Sequence, residues 1–296
     1  MYSQIDSNKR KSVILMASFM ILVGGLAYLF SQAMGKETYQ IVAMAIGTSL
    51  LVTMLSYFAG DKIALWSSAA KLTSKEENPY LYNLVENLCI TSGTPLPKIY
   101  LIEDPAINAF ATGRTPETAS IAVTRGAIEK LANEELEGVL AHELSHITNY
   151  DIRFMMLVAV LVGSVSILSN IFLRLRFWGG NRRGRDNGGN LAVILMLAGV
   201  LLAGLSPLIA ELIKLSISRR REYLADASGS LLTRYPEGLA RALEKIAQDN
   251  LPVRVASPAT AHLFFANPFS PAKFKSWFST HPPIEERIKK LREIVN

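Results

Sequence analysis

Two histidines and a glutamate in the middle of the chain have the spacing of a metal-dependent hydrolytic site. The segment reads His142-Glu143-Leu144-Ser145-His146, and on an α-helix positions i and i+4 lie on one face, about 6 Å apart at Cβ. Two imidazoles at that spacing can share one Zn²⁺, and Glu143 can act as a general base toward a water at the open position of the metal. The alternative interpretation is two surface histidines on an amphipathic helix. The motif therefore predicts zinc-dependent hydrolysis of peptide bonds.

A catalytic zinc site needs a third protein ligand, and the sequence offers several candidates. The ligand must be His, Glu, Asp or Cys, and Glu222, His262 and His281 all qualify. Asp226 follows Glu222 by four residues, so one carboxylate on this predicted helix could bind the metal while the other orients a ligand imidazole. Glu222 could equally be a solvated side chain paired with a neighbouring arginine. Spacing alone leaves the choice open.

The composition excludes several classes of protein. The 296 residues are 50% hydrophobic and 19% charged, with mean hydropathy +0.24, which excludes intrinsic disorder and is unusual for a simple cytosolic globule. A single cysteine, Cys89, excludes an intramolecular disulfide framework. The net charge of +6 comes with basic residues beside apolar runs, which indicates a membrane-topology signal rather than nucleic-acid binding.

Four apolar runs are long enough to cross a bilayer as helices, which takes about 20 residues. Short connectors join the first pair and the second pair, so each pair predicts a helical hairpin. The first run is longer than the apolar part of a cleaved signal peptide. The second pair contains Ser, Asn and Pro residues, so a shallow hairpin that does not cross stays open as an alternative. The runs are 13–34, 41–60, 154–173 and 191–210.

The basic residues near these runs predict an orientation. Two hairpins would leave both termini and residues 61–153 on one side, and that side carries more Lys and Arg, which places it in the cytoplasm. Five arginines in the connector 174–190 oppose this assignment. The predicted organisation is a cytoplasmic N-terminus, a hairpin, the first part of a catalytic domain, a second hairpin and the second part of that domain: 1–12, 13–60, 61–153, 154–217 and 218–296.

Short helices and strands are predicted in the polar parts. Three β-prone runs, 98–102, 106–112 and 119–124, are separated by Pro and Gly. Asn133 is predicted as the N-cap of the helix that carries the histidine motif and runs to about Asn149. Further helices are predicted at 79–92, 219–232, 236–248 and 282–295, with a loop at 250–278. The predicted fold class is a mainly α-helical membrane protein with a zincin-like α+β catalytic domain that carries a small sheet.

Several motifs together resemble the HtpX-type heat-shock membrane metalloproteases, which are related to the CAAX prenyl-protease group. The likeness combines the histidine motif with a distant Glu222-x-x-x-Asp226 and a membrane hairpin between them. It covers essentially the whole chain, including four apolar runs in the family's order. Further matching pieces are Asn108-Ala109-Phe110, Ser145-His146-Ile147-x-Asn149-x-Asp151 and His281-Pro282-Pro283-x-x-x-Arg287.

The resemblance implies a metal centre and a biological setting. One Zn²⁺ per chain would be held by His142, His146 and Glu222, with Glu143 as general base. The substrates would be polypeptides, among them membrane proteins, with no nucleic-acid partner. The protein would serve quality control and the stress response in the bacterial inner membrane, with its catalytic domain facing the cytoplasm.

The resemblance also implies roles for residues away from the metal. Asn108, Ala109 and Phe110 would form an edge strand that binds the substrate backbone by strand addition, and His281 would face the oxyanion of the reaction. An ordinary short strand and a locally bonded histidine at a helix start are the alternatives. Residues with a supporting or purely structural role would be Asp151, Asp226 and Arg287, and His262 has no assigned role.

Three other functions stay open. A transporter or scaffold could use the histidine pair to bind metal without hydrolysis, although such a site has no need of Glu143. An intramembrane protease would carry the motif inside the bilayer, whereas acidic and polar residues flank it here. A CAAX-type prenyl protease is possible by kinship, although that group typically has more than four spans.

Overall fold

The computed structural model describes residues 2–33, 38–178, 219–249, 251–257, 260–269 and 281–294. Within these ranges the chain forms nine α-helices and one four-stranded sheet. The helices are α1 (Tyr2–Ala33), α2 (Thr38–Ser67), α3 (Pro79–Ser92), α4 (Arg125–Lys130), α5 (Asn133–Thr148), α6 (Asp151–Trp178), α7 (Arg219–Thr233), α8 (Pro236–Asp249) and α9 (Ile284–Glu293). The strands are β1 (Lys71–Leu72), β2 (Lys98–Ile102), β3 (Ala109–Thr112) and β4 (Ser120–Thr124).

Three long helices, α1, α2 and α6, pack against one another. Their shared interface buries apolar side chains such as Phe19 and Leu157. Their other faces leave large apolar side chains open, among them Ile21 at 75% and Met44 at 69% exposure. Contiguous exposed apolar surface is typical of sites that contact another protein or a membrane.

The described residues test the predicted membrane spans only in part. The segment Ala43–Ser67 of α2 is by itself long and apolar enough to cross a membrane, and α5 with Asp151–Ser164 qualifies only as a pair bent by 85°. The run 154–173 lies within the single helix α6, as predicted. The run 191–210 lies outside the described residues, so the count of two hairpins stays a prediction.

The small sheet forms where the three β-prone runs were predicted. Its strand order is β1-β2-β4-β3, with β2 and β4 parallel and the outer pairs antiparallel. The short strand β1 was not predicted. The region predicted as a loop, as far as it is described, contains a short 3₁₀-helix (Ala261–Leu263) and a bridge from Phe264 to Phe110 of β3.

Helix α5, which carries the histidine motif, lies at the centre of the part of the chain that contains the sheet. It contacts β3, α3, α7 and α8 and is buried from Gly138 to Ile147. Its N-cap is Ala132 and not the predicted Asn133, so the prediction is wrong by one residue. The Ala132 N–H donates to the Glu135 carboxylate at 2.7 Å, and this acid in the first turn fulfils the capping role. The burial also shows that the surface-histidine interpretation is wrong.

Candidate active site

The two motif histidines place their ring nitrogens side by side. The Nε2 atoms of His142 and His146 are 3.1 Å apart, and the side chains are nearly inaccessible to solvent, at 1% and 4% exposure. Spacing on one helical face brings them together, as the sequence predicts.

Helix α7 brings Glu222 to the same point. Its Oε1 lies 3.6 Å from Nε2 of His146, and its Oε2 lies 3.9 Å from Nε2 of His142. These three residues form the one group of three or more potential metal ligands found among the described residues. His262 lies elsewhere, with Nε2 3.0 Å from the carbonyl oxygen of Met155. Of the three candidates for third ligand, the fold therefore places Glu222 with the histidine pair.

The three donors fit a zinc ion in both chemistry and spacing. Donor atoms of a tetrahedral site with bonds of about 2.0–2.1 Å lie about 3.3 Å apart, and the observed separations of 3.1, 3.6 and 3.9 Å bracket that value. Two imidazoles and one carboxylate leave a fourth position for water or substrate, as catalytic zinc sites require.

A buried ion pair holds the first histidine. Asp226 Oδ1 lies 2.9 Å from Nδ1 of His142, and Arg287 donates to both Asp226 oxygens, at 2.9 and 2.7 Å. Arg287 is fully buried and also donates to the carbonyl of Phe265 at 3.2 Å. Burial acts to raise the pKa of Asp226, but the charge of Arg287 and the hydrogen bonds with His142 and Arg287 together outweigh it and lower that pKa to about 2. The charged carboxylate therefore fixes the ring so that Nε2 faces the metal position.

A second carboxylate holds the other histidine. Asp151 Oδ2 lies 3.1 Å from Nδ1 of His146, and Oδ1 accepts a hydrogen bond of 2.7 Å from the amide of Asn8. The same amide donates to the carbonyl of Asn149 at 3.0 Å, and Arg221 Nη1 lies 3.6 Å from Asp151. The start of the first long helix thus contacts the surroundings of the metal position. Sequence reasoning missed Asn8, because no local pattern connects it to a residue 143 positions away.

Glu143 is enclosed beside the metal position. Its side chain is 2% exposed, and burial raises its pKa to about 7, against an opposing contribution from His146. The backbone of Ala111 in β3 lies near its carboxylate and acts weakly to lower that pKa. A carboxylate with a pKa near neutrality can both accept and return a proton.

His281 lies against the third candidate ligand. Its Nδ1 is 2.9 Å from Glu222 Oε2. Burial acts to raise the pKa of Glu222, but the contacts with His281 and with the two motif histidines outweigh it and hold that pKa well below its usual value. In this arrangement His281 orients a candidate ligand, a contact that the sequence did not predict.

The predicted edge strand is partly covered by the chain's own backbone. Phe265 N–H donates to the Ala109 carbonyl at 2.8 Å, and Phe110 forms a bridge with Phe264. Asn108 donates to the carbonyl of Ala266 at 3.0 Å. Strand β3 is therefore the outer strand of the sheet, but its edge beside Ala109 and Phe110 is already occupied.

The pKa values of the two histidines shift in opposite directions. Burial lowers the pKa of His142 to about 4, with Asp226 acting against the shift. Burial acts in the same direction on His146, but the hydrogen bond of Asp151 and the charge of Glu222 outweigh it and raise the pKa to about 9. At neutral pH His142 is ready to bind a metal, whereas His146 holds a proton that a metal must displace.

Zinc binding should therefore release about one proton per ion at pH 7. Because the proton competes with the metal at His146, the affinity should rise by about tenfold per pH unit until the pH reaches about 9. Calorimetric titration in buffers of different ionisation enthalpy counts the released protons. Glu143→Gln protein is the suitable sample, since it removes a second group that titrates near pH 7. A count near zero would contradict this assignment of protons.

Close packing of α7 on α5 depends on Gly229. A Cβ added there would lie 2.9 Å from the His142 backbone nitrogen and 3.1 Å from the Ala141 carbonyl carbon. We expect Gly229→Ala to push α7 outward, carrying Glu222 with it, and to weaken zinc binding by about 10–100-fold. Chelator competition measures this change. Gly47→Ala in α2, where a Cβ meets nothing within 4 Å, is the matched control and should bind zinc normally.

Two histidines on a buried helix, a third zinc-type ligand from a second helix, a glutamate beside them and a small sheet alongside define the class of metal-dependent peptidases. A sequence profile of peptidase family M48 matches residues 75–295. The chain belongs to peptidase family M48, and it is accordingly a metallopeptidase, a hydrolase.

Several proteins named "Protease HtpX homolog" are similar to the chain over its full length. One from Tropheryma whipplei (strain TW08/27) is 43% identical over 297 residues, covering 100% of this chain and 99% of the relative. One from Caldanaerobacter subterraneus subsp. tengcongensis is 43% identical over 295 residues, covering 99% and 98%. One from Streptococcus uberis is 36% identical over 299 residues, covering 99% and 100%. The resemblance stated from the motifs is thereby confirmed.

One solved structure supports the fold. The crystal structure of Ste24p from S. mikatae matches with a TM-score of 0.50 and 20% sequence identity, covering 98% of this chain. The chain spans 66% of the length of Ste24p. At this identity the likeness concerns the fold alone.

Proposed function

We propose that the chain is a membrane-bound zinc endopeptidase that cleaves misfolded or membrane proteins in the bacterial inner membrane, within the stress response. The observation that carries this proposal is the meeting of His142, His146 and Glu222 beside the buried Glu143. A binding-only metal site would not need that fourth group.

Each residue of the site has its own role in the proposed reaction. Zinc on the three ligands would polarise the peptide carbonyl and lower the pKa of water toward about 7. Glu143 accepts the proton of the attacking water and returns it to the leaving nitrogen. His281, which touches Glu222, would support the oxyanion once substrate is bound.

We further propose that substrate binds along β3 beyond the covered part of its edge. The Ala109 carbonyl points away from β4, because it accepts a bond from Phe265. Backbone groups two residues further on point the same way, so the N–H and carbonyl of Ala111 also point away from β4, and the Ala111 backbone lies near Glu143. A substrate strand added after Phe110 would lie next to the general base.

The position of the site relative to α1 supports the proposed membrane setting. Asn8, which contacts Asp151, precedes the start of the apolar run at Val13 by five residues, which is about 7–8 Å along a helix. The catalytic centre would then lie just outside the bilayer, in reach of segments that emerge from it. The Lys and Arg residues near the spans favour the cytoplasmic side.

Chelation and substrate choice test the activity. Purified protein in detergent should cleave casein at internal bonds, lose this activity with a chelator and regain it with Zn²⁺. Mass spectrometry of the fragments identifies internal cleavage. A prenylated C-terminal peptide cleaved in strong preference to casein would favour the prenyl-protease alternative instead.

Cysteine labelling tests the topology. In a Cys89→Ser background, single cysteines at Ser7 and Asn296 should resist a membrane-impermeant thiol reagent in intact cells, whereas one at Thr38 should react. A cysteine at Asn187 reports whether the second hairpin crosses. Labelling at Asn296 from outside would overturn the proposed orientation.

A further inference from the structure

We propose that the cleft between α1 and α2, together with three cations at its end, binds one anionic phospholipid. An acyl chain would lie in the cleft and the phosphate would lie among Lys9, Arg114 and Arg153. This inference rests on the membrane placement proposed above but is independent of proteolysis.

The cleft is an apolar space between two helices. It has a volume of about 300 Å³ and is lined by side chains such as Ala17 and Met20 from α1 and Leu50 and Met54 from α2. The hydroxyl of Thr53, which also lines it, donates to the Ser49 carbonyl at 2.7 Å. No polar group among these needs a polar occupant, and the volume lies at the lower end of the range of small-molecule sites.

Two aromatic side chains at the end of the cleft also contact the cations. Tyr57 and Phe58 line the cleft, and the Arg114 guanidinium carbon lies 5.6 Å and 5.2 Å from their ring centres. Arg153 lies 6.0 Å from the ring centre of Tyr57, and its Nε donates to the Arg114 carbonyl at 2.7 Å. The apolar space therefore continues directly into a positively charged surface.

Lys9 is the third cation of the group and shares the ring of Tyr150 with Arg153. Its Nζ lies 4.7 Å from the centre of the Tyr150 ring, and Arg153 lies 5.2 Å from the same centre. Within the described ranges, no carboxylate lies within 4 Å of the basic nitrogens of Lys9, Arg114 or Arg153, and Glu117 influences Lys9 only through longer-range charge. Three neighbouring cations held on aromatic faces without an acidic partner favour a phosphate group as their ligand.

The depth of these groups in the proposed bilayer agrees with a lipid. Lys9 lies just before the apolar run of α1, and Tyr57 and Phe58 lie just before Asp61 and Lys62 in α2. Aromatic and basic side chains at this level are typical of the headgroup region, and basic pockets between membrane helices bind anionic headgroups. Tyr150 is also the turn residue between α5 and α6, next to Asp151, so a bound lipid would brace the turn that supports His146.

Lipid-dependent stability in detergent tests the proposal. The sample is full-length, zinc-loaded Glu143→Gln protein, which excludes self-digestion. Phosphatidylglycerol in mixed micelles should raise the melting temperature by about 5 °C, whereas phosphatidylcholine and inorganic phosphate should not. Native mass spectrometry should show one retained phosphatidylglycerol per chain.

Matched variants distinguish lipid binding at this site from a general effect of positive charge. Lys9→Gln with Arg114→Gln should weaken phosphatidylglycerol binding by about tenfold or more, whereas Lys71→Gln with Lys98→Gln, two exposed lysines on the sheet, should not. Ala17→Trp should fill the cleft and abolish binding while the cations stay. Zinc content shows that each variant is folded.

Three results would overturn the proposal. They are equal stabilisation by both lipids, equal loss in the sheet-lysine control, and stabilisation by phosphate alone that matches the lipid. If the protein were instead recovered without detergent in the soluble fraction, the membrane placement itself would fail, and this is seen before any lipid is added.

Discussion

Glu143→Gln is expected to retain one zinc ion per chain and to lose peptide-bond hydrolysis by about 10³-fold or more. The amide has the same shape as the carboxylate and fits the same enclosed position, so the helix and the metal ligands should stay in place. It cannot accept a proton from water, and metal and base act as a unit. Zinc per chain and the rate of casein cleavage, measured on the same sample, test this expectation.

Glu137→Gln is the matched control for this variant. Glu137 lies on the same helix, is only partly buried and is absent from the group of potential metal ligands. Its amide variant should keep both zinc and activity. Near-normal turnover in zinc-loaded Glu143→Gln would refute the proposed general base.

Glu222→Ala is expected to show the largest loss of metal. Two histidines without the carboxylate leave an ion with too few protein ligands, so zinc affinity should fall by more than about 100-fold and activity should vanish with it. His262→Ala should keep its zinc, because His262 bonds to the Met155 carbonyl and not to the metal position. His281→Ala should keep zinc with an affinity lowered by at most about 10–100-fold, since it acts through Glu222.

Metal analysis after dialysis and the absorption spectrum of the cobalt-substituted protein measure these outcomes. Glu244→Ala, which removes a partly exposed acid of α8 that pairs with Arg292, controls for a general loss of negative charge. A zinc-loaded Glu222→Ala protein together with a metal-free His281→Ala protein would show that the ligand set is wrong.

Local sequence patterns determined the parts of the site that lie within one element. His142, Glu143 and His146 follow from helical periodicity alone, because their mutual positions depend only on the helix that carries them. The three main strands were predicted for the same reason, since β-prone runs bounded by Pro and Gly are short-range signals. These local patterns did not predict which polar residues are buried. Asn149 and Asp151 look like markers of a solvated helix end, but both are buried against α1.

Only the tertiary structure decided between partners that lie far apart in the chain. Spacing left Glu222, His262 and His281 open as third ligand, and the packing of α7 on α5 at Gly229 brought the first of them to the histidine pair. The same holds for Asn8 on Asp151 and for the Phe264–Phe265 segment on the edge of β3. Helix periodicity and turn chemistry act over a few residues, whereas contacts between elements depend on which faces pack together. The sequence therefore determined the chemistry of this protein, and the packing of its helices decided which residues complete it.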